Sequence, residues 1–301
     1  MNNFLIVVVG PTAIGKTSLA IALAKHYGTE IISADSRQFY KEMKIGTAVP
    51  SEEELNQAKH NFIQHISVNE SYSVGHFEED ALNCLDKIFQ NNSTAIMVGG
   101  SGLYVKAVLE GLDHLPKVDD TTRLELQQKM NEEGLDALTA MLKIRDPKQY
   151  DKIDLSNPQR VIRALEVCVY TGKPYSEFLN KDKPKRNFNY VKVGLTADRD
   201  IIYDRINKRV ELMFEKGLKN EVKNLVDKRH LNALNTVGYK ELFTHFEGKL
   251  TEKEAISEIQ KNTRRFAKRQ LTWYRKDESI HWFDYDYDLN EIINTVDNTI
   301  Q

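Results

Sequence analysis

Apolar residues near the start of the chain follow two patterns: short unbroken runs, and longer stretches at helical spacing. Residues 4–9, Phe-Leu-Ile-Val-Val-Val, form a continuous run of the kind found in strands buried on both faces. Residues 17–27 follow with Leu19, Leu23 and Tyr27 near one helical face. A second short strand is expected at 30–34. Residues 73–90 then predict a helix, with Phe77, Ala81, Leu85 and Ile88 at helical intervals. Residues 94–98 predict another buried strand, which runs into Gly99-Gly100, and two more strands are expected at 190–195 and 280–283. Strands alternating with helices of this length predict an α/β fold with a doubly wound parallel sheet flanked by helices.

Between about 116 and 186 the pattern changes. Helical spacing recurs at 122–133, 135–144 and 158–170, and no strand pattern interrupts it. The stretch closes on Lys181-Asp-Lys-Pro-Lys-Arg186, which reads as a linker. The expected organisation is a core made of 1–115 and 187–301, interrupted by an all-helical insertion at 116–186. A long helix over about 251–276 returns the chain to the core. There are no internal repeats and no low-complexity tracts.

Composition narrows the class. Of the 301 residues, 41% are hydrophobic and 29% charged, as in ordinary globular proteins, and the net charge of −2 announces no nucleic-acid binder. The two cysteines, Cys84 and Cys168, form no CxxC pair. A structural zinc site and a disulfide framework are therefore unsupported, and two free thiols in a reducing compartment are expected. The run at 4–9 is far short of the roughly twenty residues of a membrane span. It also lacks the basic flank and cleavage site of a signal peptide, so a cytoplasmic protein is expected. The histidines, among them His26, His60, His65 and His76, make no metal-ligand spacing and read as structural.

The firmest chemical signal is Gly10-Pro11-Thr12-Ala13-Ile14-Gly15-Lys16-Thr17, which fits G-x-x-x-x-G-K-[ST] between a predicted strand and a predicted helix. Glycines at both ends let the backbone curl so that successive N–H groups face one anion, and the helix N-terminus adds its positive dipole end. Lys16 supplies a cation, and Thr17 a hydroxyl suited to Mg²⁺. The usual nucleotide-hydrolysing machinery places an acid at the end of a second strand, but the 94–98 strand runs into glycines. The acid stands instead at Asp35, after the 30–34 strand. Asp35 is a candidate metal ligand or general base for an acceptor; a helix N-cap is the plain structural alternative. A P-loop small-molecule kinase that binds ATP shares these features.

Beyond the P-loop the chain resembles the tRNA dimethylallyltransferases, also called tRNA isopentenyltransferases. The resemblance rests on Gly10 to Thr17 and on Ile32-Ser-Ala-Asp-Ser-Arg-Gln-Phe-Tyr40, Lys44-Ile-Gly-Thr47 and Val98-Gly-Gly-Ser-Gly-Leu-Tyr104. It continues in Asn157-Pro-Gln-Arg-Val-Ile-Arg-Ala-Leu-Glu166, Val237-Gly-Tyr-Lys240 and Asn262-Thr-Arg-Arg-Phe-Ala-Lys-Arg-Gln-Leu-Thr-Trp-Tyr-Arg275. These blocks run in the family's order over nearly the whole length.

The resemblance implies a P-loop-type sheet that grips the diphosphate of a prenyl donor rather than ATP. It implies transfer of a dimethylallyl group from dimethylallyl diphosphate to N6 of adenine 37, in tRNAs reading codons that begin with U. Asp35 then resembles the general base, Lys16 and Thr17 hold the leaving diphosphate with Mg²⁺, and Arg209 resembles an additional diphosphate-contacting arginine. A solvated helix face is the alternative for Arg209. Contacts with the tRNA anticodon loop are implied for Asp35, Ser36, Arg37, Gln38, Ser101 and Arg123, and for Gln159, Arg160, Val161, Ile162 and Arg163. Ser101 stands where threonine is common in the family, which keeps the hydroxyl. No Cys/His extension is seen, so the zinc-finger tail of some eukaryotic relatives is not expected, and a monomer is expected.

One independent feature bears on RNA. Residues 253–276 hold eight Lys or Arg against two Glu, and Lys261, Arg265, Lys268 and Arg275 recur at helical spacing with Trp273 and Tyr274 at the end. Such a stripe attracts phosphates, and aromatics beside it stack bases. A solvated face balanced by the acidic tail at Asp277, Asp284, Asp286 and Asp288 is an equal reading. Ile256, Ile259, Phe266 and Leu271 are expected to face the core.

Overall fold

The structure, a computed structural model, describes residues 3–179 and 185–300. Six parallel strands form one sheet: β1 (Phe4–Val9), β2 (Ile31–Ser33), β3 (His60–Asn61), β4 (Thr94–Val98), β5 (Asn189–Thr196) and β6 (Ile280–Asp284). Their order is β3-β2-β4-β1-β5-β6. β1 lies inside the sheet and is buried throughout. Side-chain alternation sends Leu5, Val7 and Val9 into one core and Ile6 and Val8 into the other, one on each face of the sheet. A strand with both faces covered has no polar side to show, hence its unbroken apolar run.

Helices α1 (Lys16–Tyr27), α2 (Glu52–Gln57), α3 (Val74–Phe89) and α4 (Gly102–Glu110) accompany the first four strands. α1 stops at Gly28, whose left-handed backbone (φ 61°) lets its N–H reach the Ala24 carbonyl. The helix expected at 73–90 is α3, and it buries the four residues that predicted it. The third strand escaped the sequence pattern because two residues are too few to show a period.

The chain forms two compact units, Met1–Leu109 with Arg186–Gln301, and Glu110–Lys185. The second holds α5 (Asp120–Arg145), α6 (Pro147–Tyr150) and α7 (Pro158–Thr171), with no strand among its described residues. Gly134, at φ 82° and ψ 177°, breaks α5 into the two helical stretches that the spacing predicts. This unit has its own core around Leu126, Leu138, Leu142, Val161 and Leu165. Of the predicted linker, residues 181–184 lie outside the described residues. Arg186 belongs to the sheet unit, where it donates to the Val108 carbonyl (2.8 Å) and the Ala107 carbonyl (2.7 Å) and pairs with Glu78 (2.6 Å).

After β5 come α8 (Arg199–Glu215), α9 (Leu218–Lys223), α10 (Tyr239–Phe246), α11 (Glu252–Tyr274) and α12 (Leu289–Ile300). α8 buries only Ile202, Ile206 and Val210, one narrow stripe on a charged helix. The charged residues Arg205, Lys208 and Arg209 lie off this stripe and line a cavity. No helix among the described residues is long and apolar enough to cross a membrane.

Candidate active site

β4 pairs with both β1 and β2, so the turns that follow these three strands meet at one edge of the sheet. Open α/β sheets bind ligands at this edge. The turn after β1 is the P-loop. Its first residue, Gly10, has φ +141°, and a Cβ there would lie 2.5 Å from the Leu195 carbonyl oxygen, so only glycine fits. Lys16 Nζ donates to the Pro11 carbonyl at 2.7 Å, which closes the loop on itself. Burial pushes the Lys16 ammonium down to about 8; Asp35 opposes that shift and Arg209 adds to it. Lys16, Asp35 and Arg209 are thus within electrostatic reach of one another.

Asp35 begins no helix, which removes the N-cap reading. Its Oδ1 accepts from the Arg37 backbone N–H at 3.1 Å, and its carbonyl accepts from the Gln38 N–H at 3.0 Å, a turn that caps itself. Arg209 lies on α8 beside the buried stripe and donates to Thr12 Oγ1 at 3.3 Å. Burial lowers the guanidinium's pKa, and the Asp35 carboxylate counters this. The solvated-face reading of Arg209 therefore fails. One turn earlier, Arg205 Nε donates to the Ala13 carbonyl at 2.7 Å. The sequence reading passed over Arg205; its i, i+4 relation to Arg209 was the available signal.

Two cavities open at this edge. The first, about 920 Å³, is lined by the P-loop from Thr12 to Thr17, by Gln38, and by a basic wall of Arg205, Lys208, Arg209 and Lys216. Ile45, Val49, Leu212 and Met213 add apolar surface. The second, about 700 Å³, is lined by Ser36, Arg37, Ser101, Asn262, Phe266, Arg269, Gln270 and Trp273. Thr12, Asp35, Thr47, Arg209 and Met213 line both. An anion held in the first cavity and a polar ring in the second would meet at Asp35 and Arg209.

No group of three or more His, Cys, Asp or Glu able to hold a metal exists among the described residues. Thr17 and Asp35 offer oxygen ligands in the first cavity, the donor type Mg²⁺ takes. This sparse set fits an ion that draws most of its ligands from a diphosphate and water.

The other residues singled out from sequence divide by environment. Ser101 Oγ lies 3.2 Å from both the N–H and the Oγ of Ser36, fastening the turn after β4 to the residue beside Asp35. Gln38 is engaged with its own surroundings: Nε2 donates to the carbonyls of Thr47 (3.2 Å) and Ala48 (3.0 Å). Arg37 donates to the carbonyls of Asn232 and Ala233. In the helical unit, Arg163 pairs with the buried Glu166 at 3.0 Å, and Arg123 Nε stands 3.3 Å from its other oxygen, outside hydrogen-bond alignment. Gln159 and Arg160 are exposed, and Arg160 sits 3.9 Å from Asp154. Val161 and Ile162 are a correction: both side chains are buried in that unit's core, so they pack and present nothing to a ligand.

α11 brings two further corrections. Phe266 is exposed and lines the second cavity with Arg269 above its ring, whereas the spacing put it in the core. The fully buried residues of α11 are Ala255, Ile259, Ala267, Gln270 and Tyr274, of which only Ile259 was expected. Tyr274 is consequently buried, with its hydroxyl 3.4 Å from the Gly99 carbonyl, and Trp273 alone of the pair is exposed. Sequence reasoning also missed Gln270 and Glu221. Glu221 accepts from three successive backbone N–H groups, Lys44, Ile45 and Gly46, and from the Tyr239 hydroxyl, and so shapes a loop that lines the first cavity. A buried polar partner leaves no periodic mark in a sequence.

The parallel sheet, the glycine-flanked loop after β1 and the paired cavities define an α/β protein with room for two ligands at one sheet edge. Residues 38–277 match the model of the IPP transferase family, and the chain belongs to that family. It is 58% identical over 300 residues to the tRNA dimethylallyltransferase of Christiangramia forsetii, covering 100% of this chain and 99% of that one. Identity to the tRNA dimethylallyltransferase of Flavobacterium psychrophilum is 53% over 305 residues, with 99% of each chain covered. Among solved structures, the full-length tRNA isopentenylpyrophosphate transferase of Bacillus halodurans matches with a TM-score of 0.73 at 39% identity, over 99% of this chain and 96% of that one. A eukaryotic dimethylallyltransferase acting on tRNA matches with a TM-score of 0.79 at 26% identity, over 99% of this chain and 78% of that one.

Proposed function

We propose that the chain transfers a dimethylallyl group from dimethylallyl diphosphate to N6 of adenine 37, in tRNAs reading codons that begin with U, and releases diphosphate. The names of its relatives support transfer of this prenyl group to tRNA. The observation that carries the chemical reading is the meeting of two cavities at Asp35 and Arg209, with Lys16 and Thr17 in only one of them.

The diphosphate of the donor lies against the P-loop N–H groups, Lys16 and Arg209, with the five-carbon tail beside Ile45, Val49, Leu212 and Met213. The target base leaves its stack in the anticodon loop and enters the second cavity, where Phe266 and Trp273 offer aromatic faces. The bond from N6 to the allylic carbon forms as the bond from that carbon to the diphosphate oxygen breaks. The electron pair goes to the diphosphate, and the N6 proton goes to the Asp35 carboxylate. Charge grows on the leaving oxygens, so fixed cations and N–H groups around them lower the barrier. A Mg²⁺ ion, held through Thr17, would neutralise part of the diphosphate charge. Arg123, Gln159, Arg160 and Arg163 of the helical unit contact the tRNA in this reading. In this reading the protein acts as a cytoplasmic monomer.

The test is incubation with dimethylallyl diphosphate, Mg²⁺ and unmodified tRNA, followed by mass spectrometry of the nucleosides. A five-carbon gain on one anticodon-loop adenine is expected. Unlabelled tRNA with intact donor would refute the proposal.

A further inference from the structure

Gln270 joins the two sides of the site. Gln270 is 6% exposed, and its side chain reaches from α11 to two turns at the sheet edge. Oε1 accepts from the Thr12 backbone N–H at 2.8 Å, and Nε2 donates to the Gly100 carbonyl at 3.0 Å. An N–H must face the amide oxygen and a carbonyl must face the amide nitrogen, so its orientation is set by chemistry. A Cβ on Gly100 would lie 2.1 Å from Nε2, so the turn and the amide are in close contact.

Both turns hold reacting groups. Thr12 accepts from Arg209 through Oγ1, so the placement of Thr12 bears on where the guanidinium stands. Gly100 precedes Ser101, whose hydroxyl binds Ser36 beside Asp35. We infer that Gln270 is a positioning residue for transfer: by bridging the Thr12 amide and the Gly100 carbonyl it holds Arg209 and Asp35 in register across the two cavities. The inference rests on the roles proposed above for those two residues.

Glutamate in place of Gln270 keeps the shape and separates this role from mere packing. A carboxylate still accepts from Thr12 but turns a second acceptor toward the Gly100 carbonyl. A protonated carboxyl restores the missing donor. Burial raises a carboxyl there above its ordinary value of about 4.3. Gln270→Glu should therefore lose turnover by up to about 100-fold near pH 8.5. The ratio of its kcat to that of the unaltered protein should climb as the pH falls toward about 6, with the KM for tRNA little changed. Affinity for inorganic diphosphate, measured by titration calorimetry, should follow the same rise. A flat ratio in folded protein, or a raised tRNA KM at unchanged kcat, would overturn the inference. If Gln270→Glu does not fold, Gln270→Leu should lower kcat and diphosphate affinity together at every pH, and unchanged values would overturn it equally. An unaltered protein that binds diphosphate but prenylates no tRNA sinks the proposed function alone, because the diphosphate ratio still decides Gln270.

Discussion

Arg209 on α8 donates to the Thr12 side chain at 3.3 Å, so the arginine is tied to the P-loop from a helix more than 190 positions away in sequence. Its guanidinium stands where both cavities meet. Arg209→Lys keeps a charge but loses the planar fork that grips two oxygens. Turnover should fall by about 10²–10³, with tRNA affinity retained. Steady-state kinetics and filter binding of tRNA read the two separately.

The proposed role of Asp35 as base requires it for proton transfer and not for the local turn alone. Asp35→Asn keeps an acceptor for the Arg37 N–H but is no base. Single-turnover transfer should slow by about 10²–10⁴, while RNA binding survives. A variant that transfers at the normal rate would exclude Asp35 as the base.

Lys16 predicts a pH dependence. Its folded pKa of about 8 lies below the ordinary 10.5, so between these values the unfolded chain binds more protons than the folded one. Stability without ligand therefore gains from this group as pH rises from about 8 to 10.5. Donor binding runs the other way, because a diphosphate favours the ammonium and lifts its pKa. Affinity for the diphosphate should weaken as pH rises past about 8, with proton uptake on binding. Calorimetry in buffers of different ionisation enthalpy measures that uptake, which Lys16→Met should abolish.

Trp273 is 45% exposed on the wall of the second cavity. Trp273→Ala should weaken tRNA binding by about 1–3 kcal/mol and leave diphosphate affinity unchanged. Equal losses for both ligands would contradict the division of the two cavities.

Glu166 receives Arg163 and Arg123 at 1% exposure. Glu166→Ala should destabilise the helical unit by roughly 1–3 kcal/mol, less if the half-exposed arginines turn to solvent. A lowered urea midpoint measures it.

Much of this protein follows from local rules. A strand covered on both faces reads as a near-continuous apolar run, so β1 and β4 were legible from 4–9 and 94–98, and β5 from 190–195 despite its buried Lys192. A loop that wraps an anion needs its glycines and its lysine at set spacing, so Gly10 to Thr17 was legible too. Asp35 was readable because a strand end marks the edge of the sheet. Those blocks, in order along the chain, also determined the family. The tertiary structure alone decided which polar side chains work together. α8 and α11 show only helical spacing in sequence, and that spacing does not tell that Gln270 is buried while Phe266, four positions earlier on nearly the same face, opens to a cavity. Whether Arg209 meets water or Thr12, and whether Gln270 and Glu221 bind a turn or solvent, depends on partners that lie more than 170 positions away. Hydrophobic spacing reports the face a helix buries; it carries no record of the backbone group that waits there.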